Sequence, residues 1–276
     1  MGKLTRERRA AFFAAHPNCI FCGGNSVATT IEHCPPRALF QFKQWPEGFE
    51  FPACITCNSG TANQDAVIAM LARMDPVTDR GNKDGKLTGL IANVHAHHPG
   101  MIRKMMLSPS EARKQNRKLG LTPPVGGTHQ DTGAVRVTAE MDAAVRVLAS
   151  KLSKAIYFQD SAKAFPTDGC LLLNWFSNAD IFSNGHYKIF AALKDIPGSL
   201  PILKRTGNHL NEQFEFKYSV TEEKNLFALQ VCFGNSFGFV VFGSSEPGLL
   251  EPTLQRLRDE FEKEGALAVL QSASLT

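Results

Sequence analysis

No run of eighteen apolar residues occurs in this 276-residue chain, so a membrane-spanning helix is not expected. Nor is a secretory leader expected: Lys3 to Arg9 is charged, and Ala10 to Ala15 is too short for a signal-peptide core. Cysteines spaced for a metal rather than for export point to a reducing cytoplasm. The hydrophobic content of 43 % is that of a globular protein, and the length suits one large or two medium domains. The charge is uneven. Residues 1–118 carry 16 basic and 9 acidic side chains, the remainder 14 and 17. A basic N-terminal half suits a phosphate-bearing partner, though solvated helices look the same.

Two Cys-x-x-Cys pairs are present, Cys19/Cys22 and Cys54/Cys57. Two thiolates on one tight turn present both sulfurs to one ion, and a second turn supplies the other two. Asn18 and Gly23-Gly24 flank the first pair; Pro52 and Ser59-Gly60 flank the second. This spacing reads as a four-thiolate tetrahedral zinc site, closed and therefore structural. The alternative is four unrelated buried thiols or disulfides. Cys34, Cys170 and Cys232 are left over, the last two in apolar strand-like runs that suggest core thiols.

Between the pairs, Ala28 to Ile31 is β-branched and strand-like and delivers Glu32-His33 at its end, before Pro35 and Pro36 stop it. Thr61 to Met74 reads as a helix, with Thr61 as N-cap, Gln64 completing a capping box, and Ala66, Val67, Met70, Leu71 and Met74 on one face. Asn58 stands at or just before that helix. The order is knuckle, strand with Glu-His, loop, knuckle, helix.

Glu32-His33 and Cys57-Asn58 in this order resemble the HNH, or ββα-metal, nuclease family, in its four-cysteine zinc branch. The resemblance covers about residues 15–75. It implies an endonuclease with His33 as the general base that activates water. Glu32 and Asn58 would hold one catalytic divalent cation, Mg²⁺ or Mn²⁺, and the four cysteines the zinc. The chemistry is coherent: an imidazole takes a proton near neutral pH, and a hard cation prefers a carboxylate and an amide oxygen to thiolates. Arg37 is a candidate phosphate clamp, its forked donors matching two phosphate oxygens. Two departures stand out. The family's middle Asn is missing from Glu47 to Pro52, so something else must orient His33, a backbone carbonyl for example. The carboxylate is Glu rather than the commoner Asp.

Elsewhere, Leu4 to His16 reads as a helix with Thr5 as a possible cap, and Arg6, Arg8 and Arg9 as either phosphate contacts or a solvated face. Residues 79–100 read as a loop-rich insert; their His95, His97 and His98 fit a polar loop better than a second metal site. Ser108-Pro109-x-Glu111 is a helix start. The helix after it, with Arg113, Lys114, Arg117 and Lys118, is the most basic stretch together with Arg103 and Lys104. Thr122 to Gly133, rich in Pro, Gly and Thr, marks a boundary. Beyond it come a helix over Ala139 to Phe158, strand-like runs at 171–176, 187–193, 213–220, 226–233 and 237–242, a hairpin turn at Gly234-Asn235-Ser236, and a closing helix at 254–263. No catalytic constellation shows there: His186 and His209 are isolated, and the many phenylalanines read as core.

The expected fold is therefore α+β: a zinc-stapled ββα-metal module over 1–78, a loop-rich linker with a basic helix over 79–133, and an antiparallel-sheet domain with packed helices over 134–276. The expected activity is metal-dependent hydrolysis of nucleic-acid phosphodiester bonds, DNA before RNA, with the C-terminal domain setting substrate choice, homodimerisation or a protein contact. The competing expectation is a non-enzymatic zinc module that binds nucleic acid or protein.

Overall fold

The computed structural model of the chain describes residues 3–75, 80–185, 197–250 and 268–271. Their helices are α1 (Lys3–Ala15), α2 (Ile55–Ser59), α3 (Ala62–Ala72), α4 (Leu87–His97), α5 (Met101–Met105), α6 (Pro109–Leu119), α7 (Ala139–Ser161) and α8 (Ala179–Asn184). Their strands are β1 (Thr30–His33), β2 (Glu50–Ala53), β3 (Cys170–Ser177), β4 (Lys204–Arg205), β5 (Asn208–His209), β6 (Glu215–Val220), β7 (Leu226–Phe233), β8 (Phe237–Ser244) and β9 (Ala268–Gln271). The chain is mixed α+β with antiparallel sheets, as expected from the sequence. No helix among the described residues is long and apolar enough to cross a membrane.

Five strands form one antiparallel sheet in the order β6-β7-β8-β3-β9. The expected hairpin at Gly234-Asn235-Ser236 joins β7 to β8, pairing Phe233 with Phe237. Residues alternate along β7, every second one buried, the period-2 signature of a sheet with one covered face. Helix α7 lies against the sheet. Its length follows from an apolar stripe, including Val145, Leu148, Leu152 and Ile156, all buried, and a Thr138 cap whose hydroxyl accepts from the Met141 N–H. The runs expected at 187–193 and 254–263, and His186, lie outside the described residues.

Near the N-terminus β1 and β2 form a separate antiparallel hairpin, Thr30 opposite Ala53 and His33 opposite Glu50. Helix α3 packs against α7, and aromatic rings bind hairpin to sheet: Phe49 meets Phe214 at 5.7 Å and Phe216 at 5.9 Å, edge to face. Fully buried Phe21, Phe51, Phe214, Phe233 and Phe239 each contribute roughly 1.5–3 kcal/mol from apolar burial. One hydrophobic cluster runs from Cys19 through Leu152 to Val241, so the boundary drawn at 122–133 does not separate two cores.

Several local expectations are corrected. Helix α1 starts at Lys3, so Thr5 is inside it and not its cap. Thr61 stands at the N-cap of α3 but makes no side-chain capping bond; its hydroxyl instead accepts from Lys151 at 2.8 Å. Asn58 lies within α2, a turn capped by Cys54 Sγ accepting from the Cys57 N–H. The stretch read as a loop-rich insert contains α4, whose buried Val94 is the anchor that its glycines masked. His95 and His97 are exposed at its end and His98 meets the Asn63 carbonyl at 3.2 Å, so the three do not gather around an ion. The capping box of α6 is present as expected, Ser108 and Glu111 satisfying each other's N–H.

Candidate active site and metal centre

The four cysteines converge. Their sulfurs all lie within 4.8 Å of one another, and a zinc ion with bonds of about 2.3 Å sets its tetrahedral sulfurs ~3.8 Å apart, so a small inward adjustment closes the site. The thiols already compete for a proton. Cys19 is held down to about 4, chiefly by a hydrogen bond from the Cys57 thiol, which is itself pushed up by that bond. The donor set is one that zinc favours and would leave no open position, so an ion held there would be structural. Behind the knuckles stands the buried Lys154 of α7, donating to the Phe21 carbonyl at 3.0 Å; burial lowers its pKa, and the neighbouring Cys57, Cys22 and Cys19 pull it part of the way back up. A tetrathiolate zinc carries excess negative charge, which a buried ammonium offsets.

Glu32 and His33 are consecutive on β1, so their side chains leave opposite faces of the hairpin. Glu32 turns inward and is 3 % exposed. Its Oε1 accepts from Lys151 Nζ at 2.6 Å. Burial pushes the Glu32 carboxyl up, and the Lys151 ammonium pulls it back down. Asp65 on α3 faces the same ammonium, and burial raises it to about 6. Lys151 also lies 5.4 Å from the Phe21 ring centroid. Burial disfavours its charge, but Glu32, Cys34 and Asp65 outweigh that and hold its pKa up.

His33 turns outward. Its Nε2 lies 3.3 Å from Glu50 Oε1, directly across the hairpin, and its ring meets the edge of Trp45 at 5.1 Å. Burial and the Arg37 charge lower the His33 pKa, Glu50 pulls it up, and Arg205 lowers it again. The balance is downward, which keeps the imidazole neutral at pH 7. Arg37 is exposed, with its guanidinium 5.0 Å from the Trp45 ring centroid.

The residues expected at the site are thus partly assembled. His33 and Arg37 share one face with Trp45. Glu32 is on the other, its carboxylate held by Lys151, and Asn58 donates its amide to the Ile31 carbonyl at 3.3 Å. In this arrangement Glu32 and Asn58 do not fit a shared divalent cation. Glu50, Trp45, Lys151 and Arg205 were missed from sequence. For Glu50 a signal existed: a hairpin whose first strand ends at His33 places a residue of the second strand opposite it, and here that residue is Glu50. No family model, curated protein or solved structure matches the chain.

Proposed function

We propose that this protein is a phosphodiester hydrolase acting on nucleic acid, DNA first, through a zinc-stapled module of HNH, ββα-metal type, with His33 as general base. The observation that carries the reading is the outward His33, kept neutral by its surroundings and tethered across the hairpin by Glu50. A neutral ring whose Nε2–H points at a carboxylate has its lone pair on Nδ1. That nitrogen takes the proton of a water attacking phosphorus, and Glu50 stabilises the imidazolium that results. The proton then returns to solvent or to the departing sugar oxygen. Arg37 faces the negative charge that builds on the phosphoryl oxygens. The exposed Arg113, Lys114, Arg117 and Lys118 on α6 supply a basic surface for the remainder of a nucleic-acid backbone.

Lys151 holds the Glu32 carboxylate that the family pattern would give to a divalent cation. The same observation favours a second reading, nucleic-acid binding without hydrolysis. Supercoiled plasmid incubated with Mg²⁺, with Mn²⁺ and with EDTA decides between them and reads the cation dependence. The wild type nicks and His33→Ala does not, under the hydrolase reading; equal background from both overturns it and leaves the binding reading.

A further inference from the structure

The short ribbon of β4 and β5 belongs, in sequence, to the C-terminal half, yet it is seated on the N-terminal hairpin loop. Glu47 N–H donates to the Lys204 carbonyl at 3.0 Å, Thr206 N–H to Glu47 Oε1 at 2.9 Å, and Asn208 to Gln44 Oε1 at 3.2 Å. These bonds fix the ribbon's register against residues 44–47. They bring the Arg205 guanidinium to 3.5 Å from the Trp45 ring centroid, with Nη1 on the Trp45 carbonyl at 3.4 Å. Trp45 is therefore overlaid by two guanidiniums, Arg37 and Arg205, and abutted by His33.

Donors at this face outnumber acceptors. No hydrogen bond or ion pair reaches the Arg37 side chain among the described residues, Arg205 makes one long bond, and the Trp45 indole N–H is buried without an acceptor. The nearby acids are engaged elsewhere, Glu50 with His33 and Glu47 with the Thr206 N–H. Stacking fixes the plane of a guanidinium and leaves its edge donors available, the geometry that suits a bidentate phosphate contact.

We infer that Arg205, carried in by the ribbon, pairs with Arg37 across Trp45 to form a phosphate clamp beside His33, so that the site is completed by the C-terminal half. The identity of the ligand as a nucleic-acid phosphate rests on the hydrolase reading above. The clamp itself is read from binding, which separates its failure from that of hydrolysis.

Binding of a fluorescein-labelled DNA duplex to the full-length protein in EDTA is followed by anisotropy from 50 to 300 mM NaCl. Arg205→Ala weakens binding about tenfold and flattens the log–log salt slope by about one phosphate contact. Arg205→Lys keeps the charge but loses the fork, and falls between. A Trp175→Phe protein leaves Trp45 as its sole tryptophan, and its emission shifts as the duplex is added, in the Arg205→Lys background less than in the parent. Unchanged affinity and slope in both Arg205 variants, with melting temperatures at the parent value, overturn the clamp whether or not the protein nicks plasmid. Should Arg205→Ala fail to fold, Arg205→Lys and the Trp45 signal carry the decision. Arg205-dependent binding without any nicking supports the clamp and removes hydrolysis alone.

Discussion

His33 and Glu50 stand opposite each other in the register of two paired four-residue strands, imidazole Nε2 3.3 Å from carboxylate Oε1. Burial and the Arg37 charge bring the ring's pKa down, and the carboxylate works against them by favouring the protonated form. Glu50→Gln keeps the hydrogen bond's shape but removes that influence. The His33 pKa then drops further, so the acidic limb of the cleavage rate profile moves to lower pH. The plateau rate falls, on the order of tenfold to a hundredfold, as the ring's aim loosens. Cleavage rates from pH 5 to 8, alongside the His33 ring proton shift by NMR, measure both. An unmoved limb removes Glu50 from the site.

Lys151 is the pivot of the interior. It is 3 % exposed and answers Glu32 and Thr61 from a helix that lies 119 residues downstream of the first and 90 of the second. Lys151→Met leaves a buried carboxylate without its counter-charge, which costs about 3–5 kcal/mol. Pairing it with Glu32→Gln removes the stranded charge and restores most of the loss. Urea unfolding of both single variants and the double gives the coupling. Additive losses in the double variant mean that the two groups act independently.

The knuckles predict a metal of determinable stoichiometry. The purified chain carries one zinc, released by a strong chelator or by Cys54→Ala, and the metal-free chain melts at a lower temperature because zinc binding, of order 10 kcal/mol in small modules, is folding free energy. Metal content by mass spectrometry and melting by calorimetry check this. A chain that melts identically with and without zinc has no structural metal at this cluster. Lys154→Ala leaves the stoichiometry intact and weakens retention of the ion against chelator.

Local chemistry explains what could be read from the sequence. The cysteine spacing, the capping box at Ser108, the apolar stripe of α7 and the turn at Gly234 are each written within a few residues, and each appears where expected. The failures are tertiary. Thr61 has the chemistry of a cap, but a buried lysine offers its hydroxyl a charged donor, and that bond won. Glu32 has the place of a metal ligand, but strand alternation turns it inward, toward a cation supplied by another part of the chain. Arg205 lies in a two-residue strand that carries no periodic signal, and only its seating on Glu47 and Gln44 reveals what it faces.

Asp65 provides a pH test of the same interior. Its folded pKa of about 6 lies above the 3.8 of the free side chain, with burial as the cause and Lys151 pulling the other way. Between roughly pH 4 and 6 the native chain therefore holds a proton that the unfolded chain has released, and stability falls as pH rises through that window, then levels off. Asp65→Asn removes the slope. It stabilises the protein at pH 7, on the order of 1–3 kcal/mol, and changes little at pH 4, where the wild-type carboxyl is already neutral. Urea midpoints at pH 4, 5, 6 and 7 for the two proteins trace the difference. If the variant is the less stable of the two at pH 7, the attraction of Asp65 to Lys151 exceeds the cost of burying its charge, and the carboxylate helps to hold the lysine in place.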